Sequence, residues 1–289
     1  MPPSTPPPAV RPMRAGDVAG AYAVARGALF APLPGEDEER LRARQTARIA
    51  HLLGTDPGGA WVADRDGEVV GVAQALLREG LWGLSLYAVA EAEQGRGVGR
   101  RLLDAALGHG AGARGHVVLS SERPAAMRRY ARAGLDLRPC VAAAGIADRS
   151  RIPDAAARVE DAGAAGIPIA DALGRHVRGA GHGRDIPRLL EAGMRLLLLE
   201  ERAFAVVTAE GQVRLLAGRD DAAAATMLWG AIAAARPGAT VSVDFLTAEQ
   251  QWAIRVALDA GLALSPDGPV FTRGDVGPFA PYLPSGAYL

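Results

Sequence analysis

The chain has 289 residues, 49% apolar, 22% charged and 5% aromatic, enough to bury one large core or two of ordinary domain size. Its 32 basic residues balance 32 acidic ones, which leaves no electrostatic footprint for a nucleic acid or an anionic membrane surface. A single cysteine, Cys140, excludes an internal disulfide and any multi-cysteine zinc or iron–sulfur site. Every basic residue is arginine and asparagine is absent, the codon bias of a GC-rich genome, and this predicts a bacterial source.

In chain order, Met1 to Pro12 holds six prolines and no apolar core, which predicts a flexible arm over residues 1–9, a cytoplasmic chain and no signal peptide. Val10 to Pro12 reads as a short strand, and Asp17 as the cap of a helix reaching about Phe30. An acidic turn, Gly35 to Glu39, leads into a second helix ending at Leu53, with Gly54 as its stop. Ala60 to Ala63, the turn Asp64-Arg65-Asp66-Gly67 and Glu68 to Leu77 form a predicted hairpin, followed by a strand from Leu81 to Val89. A glycine-rich turn, Gln94 to Gly99, opens into a helix carrying Leu102, Leu103 and Ala106 on one face. Then come a strand at Val117 to Ser120, a helix from Pro124 closed by Gly134, and a strand from Leu135 to Val141.

Ala142 to Ile169 lacks a clear period and reads as linker plus short helix. Beyond it the pattern predicts a helix at Asp185 to Glu191 and strands at Met194 to Leu199, Ala203 to Val207 and Gln212 to Leu216. A helix at Asp221 to Ala235, a strand at Val241 to Leu246, a helix at Glu249 to Ala260 and a strand starting at Leu262 complete the series. This second series repeats the first. Setting Leu119 to Leu137 against Leu246 to Leu264 pairs Glu122 with Glu249, Arg128 with Arg255, and Ala133-Gly134-Leu135 with Ala260-Gly261-Leu262. Two similar domains in tandem are expected.

The chemistry is concentrated at Gln94-Gly95-Arg96-Gly97-Val98-Gly99-Arg100. Glycines let the backbone turn sharply and approach a ligand, and the free N–H groups opening the next helix attract phosphate oxygens. A Walker A loop requires a lysine that this chain lacks, and a dinucleotide fingerprint fails at Arg100. The turn alone leaves open a phosphate-gripping loop of another kind or a plain glycine-rich loop.

Strand Leu84 to Val89, the spacer Ala90 to Glu93, then Gln-x-x-Gly-x-Gly and a helix resemble the acetyl-CoA motif of the GNAT superfamily of N-acetyltransferases. That resemblance implies an α/β fold with a mostly antiparallel twisted sheet flanked by helices. It also implies that Ala88, Val89, Gln94, Gly95, Arg96, Gly97, Val98, Gly99 and Arg100 hold acetyl-CoA, the strand at the pantetheine and the loop at the pyrophosphate. The pattern Ala126-x-x-x-Tyr130-x-x-x-Gly134-Leu135 resembles a second family element, which implies Tyr130 as general acid at the CoA sulfur. Arg123 stands where the family often has asparagine at a pantetheine contact. In the second copy the matching turn is Ala217-Gly218-Arg219-Asp220-Asp221 and the tyrosine position is Ala257, so that copy is expected not to bind CoA. The expected organisation is an acetyl-CoA-binding domain over 10–143, a linker over 144–165 and a degenerate domain over 166–289.

The expected reaction moves an acetyl group to a primary amine of a small-molecule acceptor, by a monomer or homodimer. The alternative is a non-catalytic acyl-CoA-binding or sensing protein, because the strand Leu81 to Val89 carries no carboxylate to serve as base. Glu79 and Glu122 are the nearest candidates, and a resemblance to tandem acetyltransferases adds the carboxylate of Leu289, set against simple packing of the apolar segment 281–289. The polar run His176, Arg178, His182, Arg184, Asp185 reads either as an acceptor or interdomain site or as a solvated loop with Asp185 capping a helix. Cys140 reads as a buried residue and Trp252 as core.

Overall fold

A computed structural model describes residues 6–27, 29 and 36–289. The chain divides into two compact units, residues 1–77 with 82–113, and residues 78–81 with 114–289. The expected arm over residues 1–9 lies mostly outside the described residues, as does Phe30.

The first unit holds β1 (Ala9–Pro12), α1 (Val18–Arg26), α2 (Glu38–Thr55), β2 (Ala60–Arg65), β3 (Glu68–Arg78), β4 (Leu81–Val89) and α3 (Val98–Gly108). Their sheet runs β1-β2-β3-β4, with β1 and β3 antiparallel to β2. Ala21, Tyr22, Ala25, Leu41 and Ile49 of α1 and α2 pack with Val62, Val72 and Leu86 of the strands. Residues of the opposite parity face α3: a Cβ on Gly71 would overlap Leu102, so this glycine is what lets α3 lie close. The predicted four-residue hairpin turn is tighter than expected. Asp66 and Gly67, at φ 53° and 89°, form a two-residue turn of the kind whose twist matches its strands.

Two helix boundaries also differ. Asp17 spends its carboxylate on Arg11, at 2.8 Å, and on the Arg14 N–H instead of capping α1. Gly54 lies inside α2, which runs to Thr55 and stops where Pro57 removes a backbone donor.

The second unit holds β5 (Gly115–Leu119), α4 (Pro124–Arg132), β6 (Asp136–Ile146), β7 (Glu160–Asp161), α5 (Ile167–Arg178), α6 (Ile186–Glu191), β8 (Arg195–Leu199) and β9 (Ala203–Val207). It continues with β10 (Gln212–Gly218), α7 (Asp221–Ala234), β11 (Thr240–Leu246), α8 (Gln251–Asp259), β12 (Ala263–Gly274) and β13 (Tyr282–Leu283). The strand order is β5-β12-β6-β11-β10-β9-β8-β7, antiparallel throughout except for β10 with β11, and β13 lies against β10. Where the sequence predicts linker plus short helix, the chain extends β6 to Ile146, makes 3-10 turns and forms α5.

The internal repeat takes an interleaved form here. The units β5-α4-β6 and β11-α8-β12 match, and each last strand inserts beside the other's: β12 between β5 and β6, β6 between β12 and β11. Cys140 and Asp267, related by the same offset as Glu122 and Glu249, face each other in the β6–β12 ladder. A local two-fold relation therefore passes between them. The core beneath is built from Met227, Leu228 and Ile232 of α7 and Trp252 and Val256 of α8 against the strands.

Candidate active site

At the end of β4 the chain makes a 3-10 turn over Glu91–Glu93 and reaches Gln94, whose Nε2 donates to the Val89 carbonyl at 3.0 Å and closes the loop on itself. Gly95 and Gly97 follow at φ 77° and 79°, and a Cβ on either would meet nothing within 4 Å. Their requirement is conformational, because the left-handed region penalises other residues. Gly99 differs: a Cβ there would overlap the Tyr87 hydroxyl, so its requirement is space.

Helix α3 starts at Val98 with Gly97 at its N-cap and no side chain capping it. Its first internal bond is Arg101 N–H to the Gly97 carbonyl, at 3.2 Å, so the N–H groups of Val98, Gly99 and Arg100 lie ahead of the ladder at the positive end of the helix dipole. Arg96 and Arg100 are exposed beside them, and Nη2 of Arg101 is buried with no hydrogen-bond partner among the described residues.

Two supports under this turn are absent from any local sequence pattern. Arg65 of β2 grips Glu93 with two hydrogen bonds of 2.7 and 2.9 Å, and that guanidinium holds the carboxyl below the usual carboxylate range. Strand β4 itself is irregular. Trp82 donates to the Ala106 carbonyl at 3.1 Å and Tyr87 meets Gly99, so both face α3 although five residues apart. Strict alternation puts such residues on opposite faces, so the strand carries a bulge between them. There Arg48 of α2 donates to the carbonyl and, at 2.8 Å, to the hydroxyl of Ser85. Ala88 and Val89 thus end a strand whose last turn is fixed from both sides.

The other expected site residues fall in the second unit. Arg123 is exposed at the N-cap of α4 and makes no side-chain cap. Tyr130 is buried, edge-on to Phe271 of β12 with ring centroids 5.4 Å apart. Gly134, at φ 80°, ends the helix as the sequence predicts, and Arg273 donates to the Ala133 carbonyl there at 2.9 Å. Leu289 is buried, and its carbonyl oxygen accepts from Arg178 Nη1 at 3.0 Å and the Tyr282 hydroxyl at 2.6 Å. Ala257, at the second copy's tyrosine position, is core.

Several polar groups differ from the simplest expectation. Glu79 is engaged by Arg175 at 2.7 Å, which lowers its pKa and makes it a poor base. Arg178, His182 and Asp185 are buried, so the solvated-loop reading fails for these three, while His176 and Arg184 are exposed. Asp185 caps no helix: it forms a two-bond ion pair with Arg78, at 2.7 and 2.8 Å, with both side chains out of water. Tyr282 donates to Leu289, so its short contact with His182 Nε2, 2.7 Å, places the imidazole proton on Nε2. Burial first, then Arg178, keeps His182 neutral by lowering its pKa well below the ordinary value. Burial pushes the Cys140 thiol up to about 11, which removes it as a nucleophile at neutral pH. Among the described residues no cluster fit for a metal ion occurs, and no helix is long and apolar enough to cross a membrane.

Residues 25–135 match the model of the acetyltransferase (GNAT) family. A search of curated proteins by sequence gives no match. Among solved structures, a candidate acetyltransferase from Pyrococcus horikoshii superposes with a TM-score of 0.74 at 15% identity, covering 97% of this chain and 95% of that one. A GCN5-related N-acetyltransferase from Kribbella flavida gives 0.60 at 16% identity over 92% of this chain and 71% of that one. A tandem GNAT protein from the clavulanic acid biosynthesis pathway gives 0.53 at 15% identity over 92% and 98%. The family match thus falls on the stretch that carries the open glycine turn, and the fold of these acetyltransferase structures, a tandem GNAT protein among them, is shared over nearly the whole length of the chain.

Proposed function

We propose that the chain is an N-acetyltransferase that moves the acetyl group of acetyl-CoA to a primary amine of a small molecule, with a working domain over 10–143, a linker over 144–165 and a degenerate domain over 166–289. The observation that carries this is the head of α3: three N–H groups ahead of the helix ladder, no capping side chain, and two glycines with open space beside them. These features fit a diphosphate, which needs donors, positive potential and room. Bound acetyl-CoA would supply the activated acyl group.

The chain's own residues would then act as follows. Val98, Gly99 and Arg100 N–H groups bind the diphosphate, with Arg96 and Arg100 adding positive charge. Gln94 spans back to Val89 and fixes the strand end, where a backbone N–H supports the oxyanion. Tyr130 donates the proton that the departing thiolate takes. An alkylamine is mostly protonated at neutral pH, and with Glu79 engaged by Arg175 the amine's proton leaves through Glu122, which is exposed, or through water. A cytoplasmic monomer or homodimer is the expected setting.

The test is thiol release from acetyl-CoA across a panel of small primary amines, run with the wild type and Tyr130→Phe. The variant is expected to lose about 100-fold in kcat on the best acceptor, the size of an acid–base contribution, with unchanged CoA affinity by calorimetry. Equal kcat removes Tyr130 from the chemistry. Tight CoA binding without thiol release on any amine favours the sensing protein.

A further inference from the structure

Strands β10 and β11 run side by side for only two residue pairs, Gln212 with Ser242 and Val213 with Val243. Irregularities in both strands begin there, and Phe245 adopts φ 57°. Beyond that point Leu216 and Ala217 of β10 find a different partner, pairing antiparallel with Leu283 and Tyr282 of β13. The next backbone donor, Gly218 N–H, is taken by the Pro281 carbonyl at 3.2 Å. The edge that β10 offers, after it parts from β11, is therefore filled by the chain itself.

The filling segment is anchored along its length. Gln250 at the head of α8 donates to the Phe279 carbonyl at 3.1 Å. Tyr282, Leu283, Ser285, Ala287, Tyr288 and Leu289 are all buried. The Leu289 carbonyl gathers Arg178 and the Tyr282 hydroxyl, which in turn contacts His182. Each of these polar groups would be costly to leave unpaired out of water, so the segment is held by satisfied bonds as well as by apolar area.

β10 occupies in the second copy the place of β4 in the first: both end in the turn that opens a helix. We propose that residues 280–289 are a built-in occupant of the second copy's cofactor groove. The segment takes, as an added strand, the β10 backbone groups that an extended pantetheine would otherwise meet, so the chain carries one acyl-CoA site and not two. This assignment extends the reading of the first copy but stands on contacts of the second alone.

Hydrogen–deuterium exchange of the full chain tests it. In the free wild type, peptides covering 215–218 and 280–289 should be protected together, and saturating CoA should leave both unchanged. Tyr282→Phe removes the hydroxyl that joins Leu289 to His182 and should speed exchange in both peptides together by about tenfold, with 94–100 unaffected. CoA-induced protection at 215–218, two CoA equivalents per wild-type chain, or loosening of 280–289 with 215–218 still protected would each overturn the proposal. If Tyr282→Phe does not fold, the wild-type pair of measurements decides. A first copy that binds no CoA would show separately, as absent protection at 94–100 with the paired protection of 215–218 and 280–289 intact.

Discussion

Strands β4 and β10 each run into a turn that opens a helix, and the heads of those helices are treated in opposite ways. At α3 the N-cap is Gly97 and no side chain answers the first N–H groups. At α7 the N-cap is Asp220, whose carboxylate accepts from the Ala223 N–H at 2.8 Å, while the strand before it is covered by β13. The Asp220 carboxylate at the helix N-terminus does for α7 what a bound anion would do for α3. The same supersecondary piece is thus left open at its helix head in one copy and finished as a structural corner in the other, and the change is carried by a few side chains and one added strand.

The largest effect should come from giving the first turn the second turn's residue. Gly97→Asp places a carboxylate at the α3 N-cap, in competition with the diphosphate and of like charge. Acetyl-CoA affinity is expected to fall about 100-fold, ~2.8 kcal/mol by calorimetry. Gly97→Asn tolerates the same left-handed backbone without the charge and should lose far less. Equal losses for the two would make strain, not charge, the cause.

A smaller effect should follow from unpinning the first turn. Arg65→Ala leaves Glu93 beside the head of α3, where the diphosphate is proposed to bind, with Arg96 at 3.9 Å as a nearby cation. Affinity for acetyl-CoA should drop about five- to tenfold, on the order of 1 kcal/mol, and more at low salt than at high salt. Adding Glu93→Gln to the variant should restore most of the loss. A double variant as weak as the single one would show that Arg65 acts through loop geometry instead of charge.

How far these two corners could be read in advance depended on how local their causes are. The glycine turn and the Gly134 stop are short patterns, each fixed by backbone requirements within a few residues, and they were legible. So was the repeat, because helix and strand periods survive in both copies. The interleaving of β6 and β12 was not, since which strand pairs with which is decided by contacts more than a hundred residues apart. Arg65 with Glu93, Arg48 with Ser85 and Arg78 with Asp185 escaped as well, because partners 28, 37 and 107 residues apart lie outside any local pattern. In an arginine-rich chain no local feature marks which arginine is buried. The His176–Asp185 run misled in a different way: polar residues among glycines look solvated until a buried segment supplies their partners.

The smallest effect concerns the second corner. Asp220→Ala removes the cap of α7 and should cost about 1 kcal/mol, a Tm drop of about 2–4 °C for a unit of this size. The Asp220 carboxyl is held below its ordinary pKa by the Ala223 N–H first and by Arg202 second. A depressed carboxylate stabilises the fold above the unfolded-state pKa and loses that contribution as pH falls through the folded one. The Tm gap between wild type and Asp220→Ala should therefore be full at pH 7 and shrink below the usual carboxylate range. Asp220 and Arg202 are each about half exposed, 49% and 45%, so added salt should trim only the ion-pair part and leave the cap. The variant should still bind a single CoA, because uncapping α7 does not remove β13 from β10. A second equivalent appearing in Asp220→Ala would mean that the carboxylate alone had been keeping the second corner closed.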